Sequence, residues 1–187
     1  MNDLLSALRH ATRDAHSQLD HHPVLAQLLA SELSLERYAE VLLLLYPAHA
    51  GMEDVLTEYW CKAPVSYDLH RREALLRSDL KQLGHHPAEP SRWPAPQSFS
   101  AAVGMTYVIE GSRLGGTMLA RRIMRQLPDA PCRFFAEDGS QQWSAFQKFV
   151  LQHQQLIDHN EAITAALKGF DCYRTVINLG YPEQTES

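Results

Sequence analysis

Apolar residues recur along this chain at helical spacing and almost nowhere with period two. Between positions 3 and 19, Leu4, Leu8, Ala11, Ala15 and Leu19 return at intervals of three or four. That rhythm puts them on one face of an amphipathic helix. Asn2 or Asp3 can cap it, because their side-chain oxygens accept from the free N–H groups of the first turn. His21-His22-Pro23 ends it. A short helix is predicted over 24–30, and a longer one over 35–60 with Ser34 as its cap. Pro47 falls inside the longer one and is expected to kink it, since proline lacks an N–H and crowds the preceding turn. The next helix is predicted over 67–83, closed by Gly84 at its C-terminal cap. Pro87, Pro90, Pro94 and Pro96 make 84–97 a surface loop. It reads as a connection, because neither half of the chain is complete alone. Helical spacing resumes over 98–127, despite Gly104, Gly111, Gly115 and Gly116, and stops at Pro128 and Pro131. Two further helices fit 140–156 and 158–178, with a tail that frays from Gly180. The expected fold class is all-α, as one domain over residues 1–187 with an ordered core of about 3–178.

Composition narrows this picture without changing it. A chain of 187 residues, 45% hydrophobic and 21% charged, is ordinary for one globular domain. The formal net charge of -5 excludes a nucleic-acid binder, which needs a basic face to match phosphates. Arg121, Arg122 and Arg125 read as a solvated helix face. No apolar run approaches the ~20 residues that span a bilayer, and the N-terminus lacks the basic-then-apolar pattern of a secretory signal. Cys61, Cys132 and Cys172 are odd in number and form no CxxC pair. That points to a reducing compartment, the cytoplasm, and away from a disulfide framework or a cysteine zinc site.

Two constellations carry candidate chemistry. Arg9, Arg13, His16 and Asp20 are spaced by four, three and four, so they form one stripe at the border of the first helix's apolar face. A side chain there can point into a cleft beside a neighbouring helix. A neutral imidazole suits haem iron, two preceding arginines suit carboxylates, and Asp20 can orient the ring. The competing reading is a polar helix edge in water, with His16 one of ten histidines.

The second constellation is Tyr107-Val-Ile-Glu-Gly-Ser-Arg-Leu-Gly-Gly. Each helical glycine costs roughly 1 kcal/mol relative to alanine. Gly111 and Gly115 lie four apart, hence on one face. Either another helix packs there through a GxxxG contact, or a flat ligand lies against bare backbone. A phosphate cradle is the poorer reading, because neither GxxxxGK[ST] nor GxGxxG after a strand is present.

Together, Leu8-Arg9-His10-Ala11-Thr12-Arg13-Asp14-Ala15-His16 and Tyr107-Val108-Ile109-Glu110-Gly111-Ser112-Arg113-Leu114-Gly115-Gly116 resemble the proximal and distal helices of the haem oxygenase family, nearest its bacterial branch. The resemblance covers about residues 3–178 and implies a helical bundle that holds haem between the N-terminal helix and a kinked, glycine-rich one. It implies His16 as proximal iron ligand, Gly111 and Gly115 over the distal face, and Gly116 at the bend. Ser112 would stand where animal members carry an aspartate in the distal water network. Arg9 and Arg13 would meet the propionates, Tyr107 would be a pocket or propionate contact, and Lys148, on a later helix, another propionate partner. The implied reaction reduces O2 at the iron opposite His16 and delivers oxygen to a meso carbon. It releases biliverdin, carbon monoxide and iron. Bare glycines let the oxygen lean towards the ring edge, with backbone and ordered water near Ser112 as donors. Electrons must come from a separate reductase or ferredoxin, because no flavin or nicotinamide motif is present. A biliverdin acceptor such as a bacteriophytochrome is a further possible partner. No membrane anchor is expected.

Three rivals share parts of this pattern. A non-catalytic haem carrier or sensor would keep His16 and the glycines but not turn over. A helical interaction protein would explain the glycines by packing. A di-iron protein of similar fold would need Glu/Asp/His ligands on several helices, and no paired Glu-x-x-His motif occurs. His21-His22 and His85-His86 each adjoin a proline and read as solvated turns, and His153 and His159 do not share a helical face. Trp60, Trp93 and Trp143 read as packing residues.

Overall fold

The computed structural model describes residues 3–181 and is helical wherever it is regular. Eight α-helices follow in order: α1 (Asp3–Ala11), α2 (Arg13–Asp20), α3 (Leu35–Lys62), α4 (Glu73–Gln82), α5 (Phe99–Gln126), α6 (Arg133–Ala136), α7 (Ser140–Gln152) and α8 (His159–Gly180). Among the described residues there is no strand.

The long helices start at capping side chains, at Ser34 as expected and at two further positions. Ser34 accepts from Arg37 N and Ser98 from Ala101 N, at the heads of α3 and α5. Asp158 does the same for α8, accepting from Glu161 N. Each satisfies an N–H that has no partner within its helix. Gly84 closes the α4 segment with φ of 80°. Its N–H bonds Lys81 O, and His85 N bonds Leu80 O. This paired arrangement needs a left-handed residue that glycine supplies without strain.

Several boundaries differ from expectation. The first helix is divided at Thr12, whose buried hydroxyl donates to Leu8 O at 2.8 Å. Such back-bonding perturbs a helix locally. Residues 25–29 form a 3-10 helix rather than an α-helix. The helix expected over 67–83 begins only at Glu73. A buried carboxylate from α3 decides this: Glu53 accepts from Arg72 N and Glu73 N at 2.8 and 3.0 Å. The helix expected over 140–156 ends at Gln152, and 154–156 continue as a 3-10 turn. The four-residue α6 was not expected. α8 runs through Gly180, and Tyr181 packs partly against the core. The caps proposed at Asn2 and at the Asp3 side chain, and the tail beyond Tyr181, lie outside the described residues.

The core has two parts. One joins Leu4 and Leu8 of α1 to Met52, Leu56 and Trp60 of α3, and to inward residues of α5, α7 and α8. Trp60 N–H donates to Thr106 at 3.0 Å, so its one polar atom is satisfied in the interior. The other part joins Tyr38, Leu42 and Tyr46 of α3 to Leu76 and Leu80 of α4, Ile123 of α5, and Phe134 and Phe135. The 84–97 loop is irregular, as its prolines imply. It lies on α3 at Pro47–Gly51, where Ser91 N donates to Pro47 O and a side chain at Gly51 would overlap Ser91 O. Of the three clustered arginines, Arg122 does more than solvate a helix: its guanidinium donates to Leu29 O and Ala30 O. Among the described residues, no helix is long and apolar enough to cross a membrane.

Candidate functional site

α8 brings the two constellations together. Its Phe170 meets the His16 ring edge-on, with centroids 5.9 Å apart. The preceding residue, Gly169, is hemmed in by α3 and α5: a methyl there would sit 3.1 Å from Met52 Cε and 3.2 Å from Val108 Cγ2. Consecutive residues of α8 thus touch the His16 helix on one side and the glycine-bearing helix on the other. α8 and α5 approach closely where Gly104 meets the Ala162 backbone.

The apolar face is buried on α1 and partly buried on α2, at Ala15 and Leu19, while the candidate stripe is exposed. Leu4 and Leu8 are fully buried, while Arg9, Arg13, His16 and Asp20 all face solvent. Arg13 makes only a loose, exposed contact with Asp14, at 3.6 Å, of the sort that contributes little. His16 Nδ1 lies 2.9 Å from Asp20 Oδ2. In a neutral ring with its proton on Nδ1, facing this carboxylate, the lone pair would lie on Nε2; metal-ligating histidines commonly have such a partner at the other nitrogen.

The four glycines of α5 fall into two pairs. A methyl at Gly104 would overlap the Ala162 carbonyl, and one at Gly116 would stand 3.0 Å from Phe135 O. These two admit neighbouring backbone. Gly111 and Gly115 differ, since a methyl at either would meet nothing within 4 Å. No helix packs against them, so a GxxxG contact does not account for this pair. Leu114 and Met118, on the same side at helical spacing, are 46% and 74% exposed. The helix therefore presents a strip of bare backbone flanked by uncovered apolar side chains, without interruption of α5.

Ser112 stands at the edge of this strip with its hydroxyl committed. It donates to Ile109 O at 2.7 Å and accepts from Arg72 Nη2 at 2.8 Å. One lone pair remains, so Ser112 can accept a further hydrogen bond but has no second proton to give. Tyr107 is half-buried against Trp143 of α7, ring centroids 5.9 Å apart. Lys148 is exposed on α7, on the side opposite the buried Phe146 and Val150.

Behind Ser112 lies a buried polar network that sequence spacing did not single out. Arg72 and Arg113 are almost wholly buried, with Glu53, Glu110 and His49 beside them. Glu53 accepts from His49 Nε2 at 2.9 Å, and His49 Nδ1 pairs with Tyr173 Oη at 2.9 Å. Burial would raise the Glu53 pKa, but His49 and the N–H groups of Arg72 and Glu73 outweigh it and hold the carboxyl at about 2. Burial depresses the pKa of His49, against the pull of Glu53. Burial, aided by the charge of Arg113, lowers Arg72 to about 10. Arg113 sits 2.7 Å from Glu110 and 2.9 Å from Glu137, and donates to His70 O. Glu110 accepts from Tyr67 Oη at 3.1 Å. The visible signals were the i,i+4 pair His49/Glu53 and the i,i+3 pair Glu110/Arg113. Such pairs are common on solvated helices, and only burial distinguishes these. Among the described residues, no group of three or more His, Cys, Asp or Glu side chains is arranged to hold a metal ion.

Comparison with known proteins converges on one family. The family model described as heme oxygenase matches residues 2–178. A relative from Xanthomonas campestris pv. campestris (strain 8004), named heme oxygenase, is 31% identical over 151 residues, covering 78% of this chain and 91% of its own. Among solved structures, the NO- and CO-bound heme oxygenase of Neisseria meningitidis aligns with a TM-score of 0.75 at 21% identity, over 100% of this chain and 96% of that one. Heme oxygenase-1 of the cyanobacterium Synechocystis sp. PCC6803, in complex with heme, aligns at 0.71 and 17% identity, over 95% and 91%. The heme oxygenase of Leptospira interrogans aligns at 0.73 and 16% identity, over 94% and 98%. With nearly its whole length matched by the family model, and its architecture shared with these structures, the chain belongs to the heme oxygenase family.

Proposed function

We propose that this protein is a haem-degrading oxidoreductase that binds haem between α2 and the glycine-bearing face of α5, with His16 Nε2 as the iron ligand. The observation that carries this reading is the open strip at Gly111 and Gly115. Two helical glycines cost on the order of 2 kcal/mol together and here give no packing in return. A flat, largely apolar ligand that needs backbone close to its plane supplies the missing reason. Leu114 and Met118 offer it apolar contact, and His16 offers a lone pair from a ring already held by Asp20.

Haem supplies the redox-active iron and is itself the substrate. The chain's share is binding, orientation and hydrogen bonding. Arg9 and Arg13 are exposed cations one and two turns before His16, suited to the propionate carboxylates. Tyr107 and Lys148 are the further propionate candidates. Such contacts set how haem is rotated, and hence which meso carbon is cleaved. On the α5 side no side chain projects from Gly111 or Gly115, so the chain itself would leave the space over that face of haem open. Ser112, whose O–H is already directed at Ile109 O, holds water by accepting from it, and that water then donates. The haem carbon skeleton leaves as biliverdin, with carbon monoxide and iron. An external reductase or ferredoxin brings the electrons, the cytoplasm is the setting, and a biliverdin-accepting protein such as a bacteriophytochrome is a fitting recipient.

Haemin titration of the purified protein, followed by reductant in air, tests this. A one-to-one Soret complex that decays to a broad red biliverdin absorption is expected. A stable Soret complex with a competent donor would instead indicate a carrier or sensor. Failure to bind haem would overturn the reading.

A further inference from the structure

Glu137 lies just after α6, outside both constellations, yet it lies beside two arginines and a histidine. Its Oε2 is 2.9 Å from Arg113 Nη1 and 3.9 Å from Arg72 Nε, and its Oε1 is 2.9 Å from His70 Nε2. Arg72 and Arg113 are buried, and the charge of Arg113 disfavours that of Arg72. Arg72 Nε has no hydrogen-bond partner at all. Holding this guanidinium are the Phe134 ring, with the guanidinium carbon 4.6 Å from its centroid, the Ser112 hydroxyl at 2.8 Å, and the charges of Glu53 and, at 3.9 Å, Glu137. Glu53 binds the Arg72 backbone rather than its side chain.

We infer that Glu137 is a positioning residue for the reaction: by holding the Arg72 and Arg113 guanidiniums together, it keeps Arg72 donating to Ser112, and so keeps Ser112 as an acceptor-only group beside the Gly111–Gly115 strip. With Arg72 in place, one Ser112 lone pair is occupied and its O–H stays directed at Ile109 O, so water at Ser112 is oriented as a donor to its other neighbour. Without Glu137, two buried like charges lose their shared anion, Arg72 loses its place, and the hydroxyl is free to turn. Removing an outer-shell partner of this kind commonly costs 10–100-fold. This inference rests on the proposed haem site.

The test is Glu137→Gln, which keeps the shape and removes the charge, beside Glu137→Asp, which keeps the charge. Three quantities are read in each: haemin affinity from the Soret titration, the pH midpoint at which water on ferric haem deprotonates, and the Arg Nε–H signals by NMR in the haem-free protein. In Glu137→Gln we expect unchanged affinity, a haem-water midpoint moved to lower pH by the uncompensated cations, and a shifted Arg72 Nε–H signal. We also expect turnover lower by about tenfold. Glu137→Asp should restore the midpoint towards the parent's. Normal haem binding with an unmoved midpoint and unmoved Arg signals in Glu137→Gln would overturn the inference while leaving the haem site standing. Absence of haem binding in the parent would instead remove the haem site itself. Arg72→Lys, which keeps the charge, serves as a second variant, expected to show the same loss of the Ser112 bond and the same fall in turnover. If neither it nor Glu137→Gln folds, the cluster serves stability alone and the inference fails.

Discussion

Adding one methyl group to α5 should have opposite consequences at positions that sequence alone treats alike. At Gly115 the methyl enters open space, with nothing within 4 Å. The folded helix then gains alanine's propensity over glycine, about 0.8–1.0 kcal/mol. For a chain of this length, that corresponds to a rise of about 2–4 °C in melting temperature of the haem-free protein. The same methyl occupies the strip assigned to haem, so Gly115→Ala should bind haemin more weakly or lose turnover while becoming more stable. Gly111→Ala should behave alike. At Gly104 the methyl would overlap the Ala162 carbonyl, and two backbones cannot yield as a side chain can. α5 and α8 must separate along a fully buried seam, an overpacking that costs typically 1–3 kcal/mol and sometimes more. Thermal or urea unfolding of the three haem-free variants, with a haemin titration of those that fold, checks this. A loss of stability in Gly115→Ala would refute the open-space argument. Unaltered haem binding and turnover in both Gly111→Ala and Gly115→Ala would refute the placement of haem on this strip.

Other expectations follow from single contacts. His16→Ala should lose the parent's Soret spectrum and turnover, with partial recovery on adding imidazole; an unchanged spectrum would remove His16 as ligand. Glu53 is held at about 2 when folded against an ordinary value of 4.5. Its contribution to stability is therefore full above about pH 4.5 and is lost as pH falls towards 2. Glu53→Gln should flatten this acid limb in urea unfolding measured across pH, and an unchanged limb would contradict the assignment. Buried His49 acts in the same direction higher up: its lowered pKa makes stability fall as pH drops below 6.5, where the unfolded chain takes the proton first. Ser98→Ala removes the cap of α5 and should cost about 1 kcal/mol in the same unfolding assay, without changing the haem spectrum.

Helix type and order were legible from the chain because they rest on local rules. The 3.6-residue spacing of Leu4, Leu8, Ala15 and Leu19, the caps at Ser34, Ser98 and Asp158, and the left-handed Gly84 need only neighbours in sequence. The two constellations were legible for the same reason, since residues three and four apart share a face wherever the helix lies. The tertiary structure decided what those faces meet. GxxxG spacing at 111–115 is compatible with a packed helix and with open space, and only the positions of α6 and α8 separate Gly116 and Gly104, which are crowded, from Gly111 and Gly115, which are not. The late start of α4 was invisible because its first N–H groups are taken by Glu53, about twenty residues away in the chain. The network of Glu53, Arg72, Arg113 and Glu137 was invisible because charged residues ordinarily mark a solvated surface. Burial reverses that expectation, and burial is a property of the packed chain rather than of any stretch of sequence.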